Sequence, residues 1–333
     1  MARIHPPRRT WSIDMTDIAV HPVAPSTATI LGRPVLPGVA EGSVPFWRLV
    51  LRGCSQCCFQ TNEVTGLIFL IAVLTYSWEQ ALLMAMAAVI APAVALLLRG
   101  DRVLLELGVF GFNSCLMALA LGNFFEYEAA LWIWAAVLSA VATVVTVVVV
   151  RFISFPILAA PFIVLFWIFW EFAEDVGLTL RVFPPFANEE YEALRAGLSA
   201  LGAALFAGTI TAGILFFVAV LVSNWRHAVL ALSAAFLADR IAEWWAVPGE
   251  QINLGLAGFN AVLAAVAIYA FCGSDIRLAL LGAVFASAIL PVFGKLDLVS
   301  LAAGFVVTTW LVILLGWFQR EYFNERPPEP ITS

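Results

Sequence analysis

Charge is scarce in this chain: 17 Lys and Arg and 23 Asp and Glu make up 12% of 333 residues, against 62% hydrophobic residues. With a mean hydropathy of +0.97, this balance excludes an ordinary water-soluble domain, which needs far more polar surface. Histidine is almost absent. His5, His21 and His227 are isolated from one another, so no catalytic cluster is visible and an enzyme is not expected. Cysteine is equally sparse. Cys54, Cys57 and Cys58 have a metal-like spacing but no matching ligand pair, and Cys115 and Cys272 read as small buried hydrophobes, so no metal site is expected. Trp167, Trp170, Trp244, Trp245 and Trp310 read as interface anchors or packing residues, and no cofactor is expected. The net charge of -6 is spread over loops, which makes nucleic acid an unlikely class of partner.

What the chain has in abundance is apolar runs. Ten can be drawn, at about 62–77, 79–99, 106–124, 129–150 and 156–176, then 208–223, 226–246, 252–272, 277–292 and 298–318, each near the length that crosses a hydrocarbon core of about 30 Å. Residues 1–45 read as a polar arm, with Pro7-Arg8-Arg9 and no run that would serve as a signal peptide. Residues 46–180 and 181–318 read as two membrane repeats, and 319–333 as a tail. With the arm in the cytoplasm, Arg102, Arg151, Arg226, Arg277 and Arg320 fall inside, and the acidic stretches at 126–128 and 171–192 fall outside. Arg181, Arg195, Arg240 and Lys295 run against that assignment.

The two repeats share residues as well as length. Leu107-Gly108, Gly111-Phe112-Asn113 and Leu116 return 147 residues later as Leu254-Gly255, Gly258-Phe259-Asn260 and Leu263. At the same offset Phe59, Gly66, Trp78 and Ala81 become Phe206, Gly213, Trp225 and Ala228. With five spans in each half, equivalent spans run in opposite directions, which predicts an inverted repeat with a transport site at its interface. The runs beginning near Gly111 and Gly258 are expected to be half-spanning helices, which survive in a membrane only where protein or a water-lined path satisfies their ends. A bland alternative for Gly-Phe-Asn is close helix packing with Asn as a local cap.

The segment from Leu51 to Asn62 carries Arg52, Gln56, Gln60 and Asn62, which cannot all face lipid. Gln56 and Gln60 share a helical face with Phe59 beside them. A Gln amide next to a Phe edge suits a planar, uncharged, hydrogen-bonding solute; interhelical bonding is the competing reading.

These residues resemble the urea transporter family. Leu51 to Gly66 is similar to that family's opening pattern, the two Gly-Phe-Asn copies fit its central motif, and Ala160-Pro161-Phe162 with Trp167 fits its first Leu-Pro-x-x-Thr-x-Pro-Phe segment. The resemblance covers about residues 46 to 318 and is weaker in the second half. It implies an all-α polytopic membrane protein of two inverted repeats with half-spanning helices. It also implies passive passage of urea through one pore per subunit of a homotrimer, in the bacterial inner membrane. Gln56 then stands at a pore mouth, and Phe59, Phe112, Leu116, Phe206, Phe259 and Leu263, with Asn113 and Asn260, fall at pore or substrate positions. Three positions depart from the family. Ala159 and Ala302 stand where it carries pore threonines, and Ala203 stands opposite Gln56 where Gln or Glu is expected. Thr308 and Thr309 are expected on a different face of any helix through Ala302. A channel for another small neutral amide-like solute, or a transport-inactive member kept for assembly or regulation, are the alternative readings.

Overall fold

A computed structural model describes residues 28–38 and 42–322, apart from the Arg320 side chain. Most of the arm expected at 1–45, including Pro7-Arg8-Arg9, His5 and His21, and most of the tail expected at 319–333 lie outside the described residues. A two-stranded hairpin, β1 Thr29–Ile30 and β2 Arg33–Pro34, precedes the helices. It docks through Leu31 N on the Val222 carbonyl and through Thr29 O, which accepts from Asn62 Nδ2.

Among the described residues seven helices form the first half: α1 Phe46–Ser55, α2 Glu63–Tyr76, α3 Trp78–Leu97, α4 Arg102–Leu107, α5 Val109–Phe124, α6 Ala129–Phe152 and α7 Ala160–Trp170. Eight form the second: α8 Ala193–Ala203, α9 Ile210–Ser223, α10 Trp225–Trp244, α11 Gly249–Asn253, α12 Phe259–Phe271, α13 Ile276–Ala288, α14 Leu290–Lys295 and α15 Ala303–Tyr322. The 147-residue offset carries α2 onto α9 and α3 onto α10 without a shift at either end. After α6 the offset shortens to 143, because α13 and α14 together are shorter than α6, and Leu158-Ala159 corresponds to Leu301-Ala302.

Capping explains why the boundaries repeat. Asn62 accepts from the amides of Val64 and Thr65 at the start of α2, and Thr209 accepts from Ala212 at the start of α9. Ser77 and Asn224 do the same for α3 and α10. In each pair a side-chain oxygen satisfies amides that the first turn leaves free. The residue type changes between the halves while the capping function is kept.

Among the described residues three helical segments are long and apolar enough to cross a bilayer, α3, α6 and the broken pair from Ile276 to Lys295. The segment from Phe46 to Cys58 adds a fourth when joined to α2, across a bend of 71°. Five further apolar helices, including α5, α7 and α12, have 10–17 residues, short of the roughly 20 that a full crossing takes. The opening helices α1 and α8 lie outside the ten apolar runs. α1 carries Arg48 and Arg52, both buried and both within 3.3 Å of Glu63 Oε1, so its polarity hid it from a hydropathy reading.

Polarity is arranged as in a protein dissolved in lipid. On α6, Ile133, Val137, Val144 and Val148 form an exposed apolar stripe, while Ser139, Thr143 and Thr146 are buried. Ser114 of α5 donates to the Ser139 carbonyl at 2.8 Å and meets Thr143 Oγ1 at 2.7 Å. Inward hydroxyls binding helix to helix, with branched apolar side chains outward, suit a hydrocarbon surround.

The halves meet across α2 and α9. Phe69 and Phe216, equivalent positions in the two repeats, stack on each other with ring centroids 4.9 Å apart, and Thr65 Oγ1 donates to the Ala219 carbonyl at 2.7 Å. Close approach recurs at the paired glycines. A Cβ on Gly66 would lie 1.9 Å from the Leu51 carbonyl oxygen, and one on Gly213 would lie 1.8 Å from that of Leu198. Leu51 and Leu198 are themselves equivalent.

Candidate solute path between the two repeats

Each repeat places one phenylalanine by bending its backbone into a conformation that L-residues rarely adopt. After α1 and a short 3-10 turn, Gln56–Cys58, the chain passes through Phe59 with φ of 56°, and Phe206, after α8, repeats that value. Leu158 and Leu301, before α7 and α15, share the feature with φ of 50° and 41°. A bulky residue in this region costs about 1–3 kcal/mol and persists only where its surroundings hold it.

The surroundings of both leucines are held by the asparagines of Gly-Phe-Asn. Asn113 Nδ2 donates to the Leu158 carbonyl at 3.2 Å, and its Oδ1 accepts from the Phe162 amide at 3.1 Å. Asn260 repeats both bonds, to Leu301 O and from Phe305 N, each at 2.9 Å. Each amide therefore pins the turn before a helix, α7 or α15, and satisfies one free amide at that helix's start. Asn113 and Asn260, expected as pore or substrate residues, thus have both polar ends engaged by backbone; the capping alternative describes these bonds, although the capped helix is remote in sequence.

The helices so fixed deliver aromatic rings across the repeat boundary. Phe305 of the second half meets Phe59 of the first with centroids 6.0 Å apart, and Phe162 of the first meets Phe206 of the second at 6.5 Å. Two tryptophans are exchanged in the same way: Trp167 Nε1 donates to the Val299 carbonyl and Trp310 Nε1 to the Pro156 carbonyl, both at 2.8 Å. Phe59 is also flanked by Phe112 at 5.6 Å and Phe271 at 5.8 Å. Leu116 and Leu263 lie one turn beyond Phe112 and Phe259 on α5 and α12, and both are buried. The sequence missed Phe162, Phe271 and Phe305 as partners. The signal available for two of them was the Phe that closes each copy of the segment after Leu-Ala-Ala.

Gln56 stands beside the first aromatic group, half-buried. Its Nε2 donates to the Leu107 carbonyl at 2.7 Å and to Thr61 Oγ1 at 2.9 Å, which leaves its carbonyl oxygen as the end able to accept from a solute. The second repeat has Ala203 there, and a cavity of about 700 Å³ opens beside it, bordered also by Phe206, Phe259, Leu254, Leu301, Phe124 and Trp245. Gln251, Asn123, Ser287 and Ser300 give it a few polar groups. Ala159 and Ala302 are buried next to the strained leucines.

Among the described residues no group of three or more His, Cys, Asp or Glu could hold a metal. Polar groups turned inward, apolar residues turned outward, and an aromatic-walled space shared by two copies of one helical plan define a membrane transport protein. Residues 47–316 match the family described as Urea transporter, and the chain belongs to that family. Its members carry urea across membranes and perform no chemistry on it.

Proposed function

We propose that this protein is a passive urea channel whose path runs between the two aromatic groups, from the Gln56 side to the cavity beside Ala203. The observation that carries this reading is the reciprocal exchange of rings, Phe305 onto Phe59 and Phe162 onto Phe206, which makes both repeats walls of one passage. Apolar rings set edge to face admit a flat neutral molecule, while an ammonium or guanidinium ion meets a much larger desolvation cost in the same slot. Phe59, Phe112, Leu116, Phe206, Phe259 and Leu263 form the apolar walls, Gln56 accepts from the solute at one mouth, and Asn113 and Asn260 fix the turns behind. Ala159, Ala203 and Ala302 make the centre and the second mouth less polar than the first.

In this reading the two repeats are inverted across the bilayer, with ten segments entering it, and the short helices α5, α7 and α12 are half-spanning. Three such channels assemble as a homotrimer in the bacterial inner membrane, with arm and tail in the cytoplasm. Reconstitution tests the solute. Initial flux of urea, thiourea and acetamide into proteoliposomes is expected to be fastest for urea. Acetamide faster than urea would assign the path to another neutral amide, and flux of all three at the level of empty liposomes would leave a transport-inactive member.

A further inference from the structure

Among the described residues, three hydroxyl oxygens are buried without a hydrogen-bond partner, those of Tyr191, Thr308 and Thr309. Buried helical threonines ordinarily turn back to a carbonyl one turn earlier, as Thr143 does to Ser139 at 3.1 Å and Thr146 to Ala142 at 2.8 Å. Thr308 faces a helix interface: its methyl lies 3.6 Å from the point where a Cβ on Gly282 would sit. Thr309, the next residue on the helix, lies about 100° further round it.

Thr309 follows Phe305 by four residues on α15 and so shares its face, and Phe305 is the ring that meets Phe59. The equivalent position in the first repeat is Phe166, four residues after Phe162. The Phe166 ring lies 6.2 Å from Phe162, 5.6 Å from Phe124 and 5.7 Å from Trp170. Transferred to the second repeat, those neighbours are Phe305, Phe271 and Ile313. Phe271 lies 5.8 Å from Phe59. Thr309 therefore puts a small side chain with an unpartnered hydroxyl where the other repeat fills the same aromatic setting with a ring.

We propose that Thr309 is a specificity-determining residue, whose hydroxyl hydrogen-bonds a planar amide solute as it passes the Phe59 group. This rests on the urea channel reading. A hydroxyl can accept from a solute N–H or donate to its carbonyl oxygen, and neither Ala159 nor Ala302 offers either. The alternative is a structural hydroxyl left over from helix packing, which the isosteric change to valine would leave functionally silent.

The test compares wild type, Thr309→Val, Thr309→Ser and Thr308→Val as full-length protein in proteoliposomes, reading initial urea and acetamide flux at matched protein density. Thr309→Val is expected to lower urea flux by about two- to tenfold, the equivalent of one hydrogen bond, and to lower the urea-to-acetamide ratio. Thr309→Ser retains both values, and Thr308→Val matches wild type. Wild-type urea flux with an unchanged ratio in Thr309→Val overturns this inference alone. A wild type without urea flux overturns the channel reading and this inference with it. Melting temperature and elution profile of each variant separate loss of the contact from loss of the fold, and Thr309→Ala, which also removes the hydroxyl, takes the place of the valine variant if that one does not fold, with the same expected and overturning results.

Discussion

Asn113 and Asn260 each hold a helix, α7 and α15, at both the carbonyl before it and an amide near its start, over 41 to 49 residues of sequence. Removing one side chain orphans two backbone groups in a dry interior. Asn260→Leu should therefore destabilise the protein by about 1–3 kcal/mol for each orphaned group, seen as a lower melting temperature in detergent. An unchanged melting temperature would show that other contacts fix the Leu301 turn. The motif itself was plain in the sequence because it is written twice. Its bonding was hidden, since a side chain's remote backbone partner leaves no local pattern, and the same holds for Phe271 against Phe59.

Asp239 shows the same limit from the opposite side. It is fully buried on α10 with both carboxylate oxygens unpartnered among the described residues, close enough to Gly258 that a Cβ there would lie 3.0 Å from Oδ1. Its equivalent in the first repeat is Pro92. A carboxylate buried in a membrane span is a candidate proton or ion site, so Asp239 is the residue against which the passive reading has to be tested.

At the level of elements, the repeated helix boundaries follow from residues that the sequence displays openly. Asn62 with Thr209 and Ser77 with Asn224 are capping pairs, and Gly66 and Gly213 mark the crossings of α1 with α2 and of α8 with α9. A Cβ at either glycine would enter a backbone carbonyl on the neighbouring helix, and backbone cannot swing aside as a flexible side chain does. Gly66→Ala and Gly213→Ala should each shift those crossings and strongly reduce the yield of monodisperse protein on size exclusion. Wild-type yield and melting temperature in both would mean that the helices separate readily and that the crossings do not position Phe59 and Phe206. The hydropathy reading missed α1 and α8 because helices that carry arginine or span only 10 or 11 residues do not register as apolar runs. It also divided the chain into ten runs of similar length, where the structure has a mixture of long helices, a bent pair and short helices. Half-spanning elements are defined by where they stop in space, and apolar composition alone does not record that.

At the scale of the whole molecule, two copies of one plan exchange their rings and tryptophans, so neither half completes the aromatic groups alone. The class of protein was legible because scarce charge, long apolar content and an internal duplication agree with one another. The proposed path rests on Phe59 and Phe206, which the duplication displays in the sequence, whereas the contacts of the rings that meet them from the other repeat, Phe305, Phe271 and Phe162, leave no local pattern there. The proposed function is passive movement of urea between the two repeats. It is tested most directly by following internal urea in proteoliposomes to equilibrium under imposed proton, sodium and voltage gradients. Passive movement gives urea entry well above that of empty liposomes, with the same final internal concentration, equal to the external one, under every gradient. Accumulation above the external concentration driven by any gradient, or entry no faster than in empty liposomes, would contradict it.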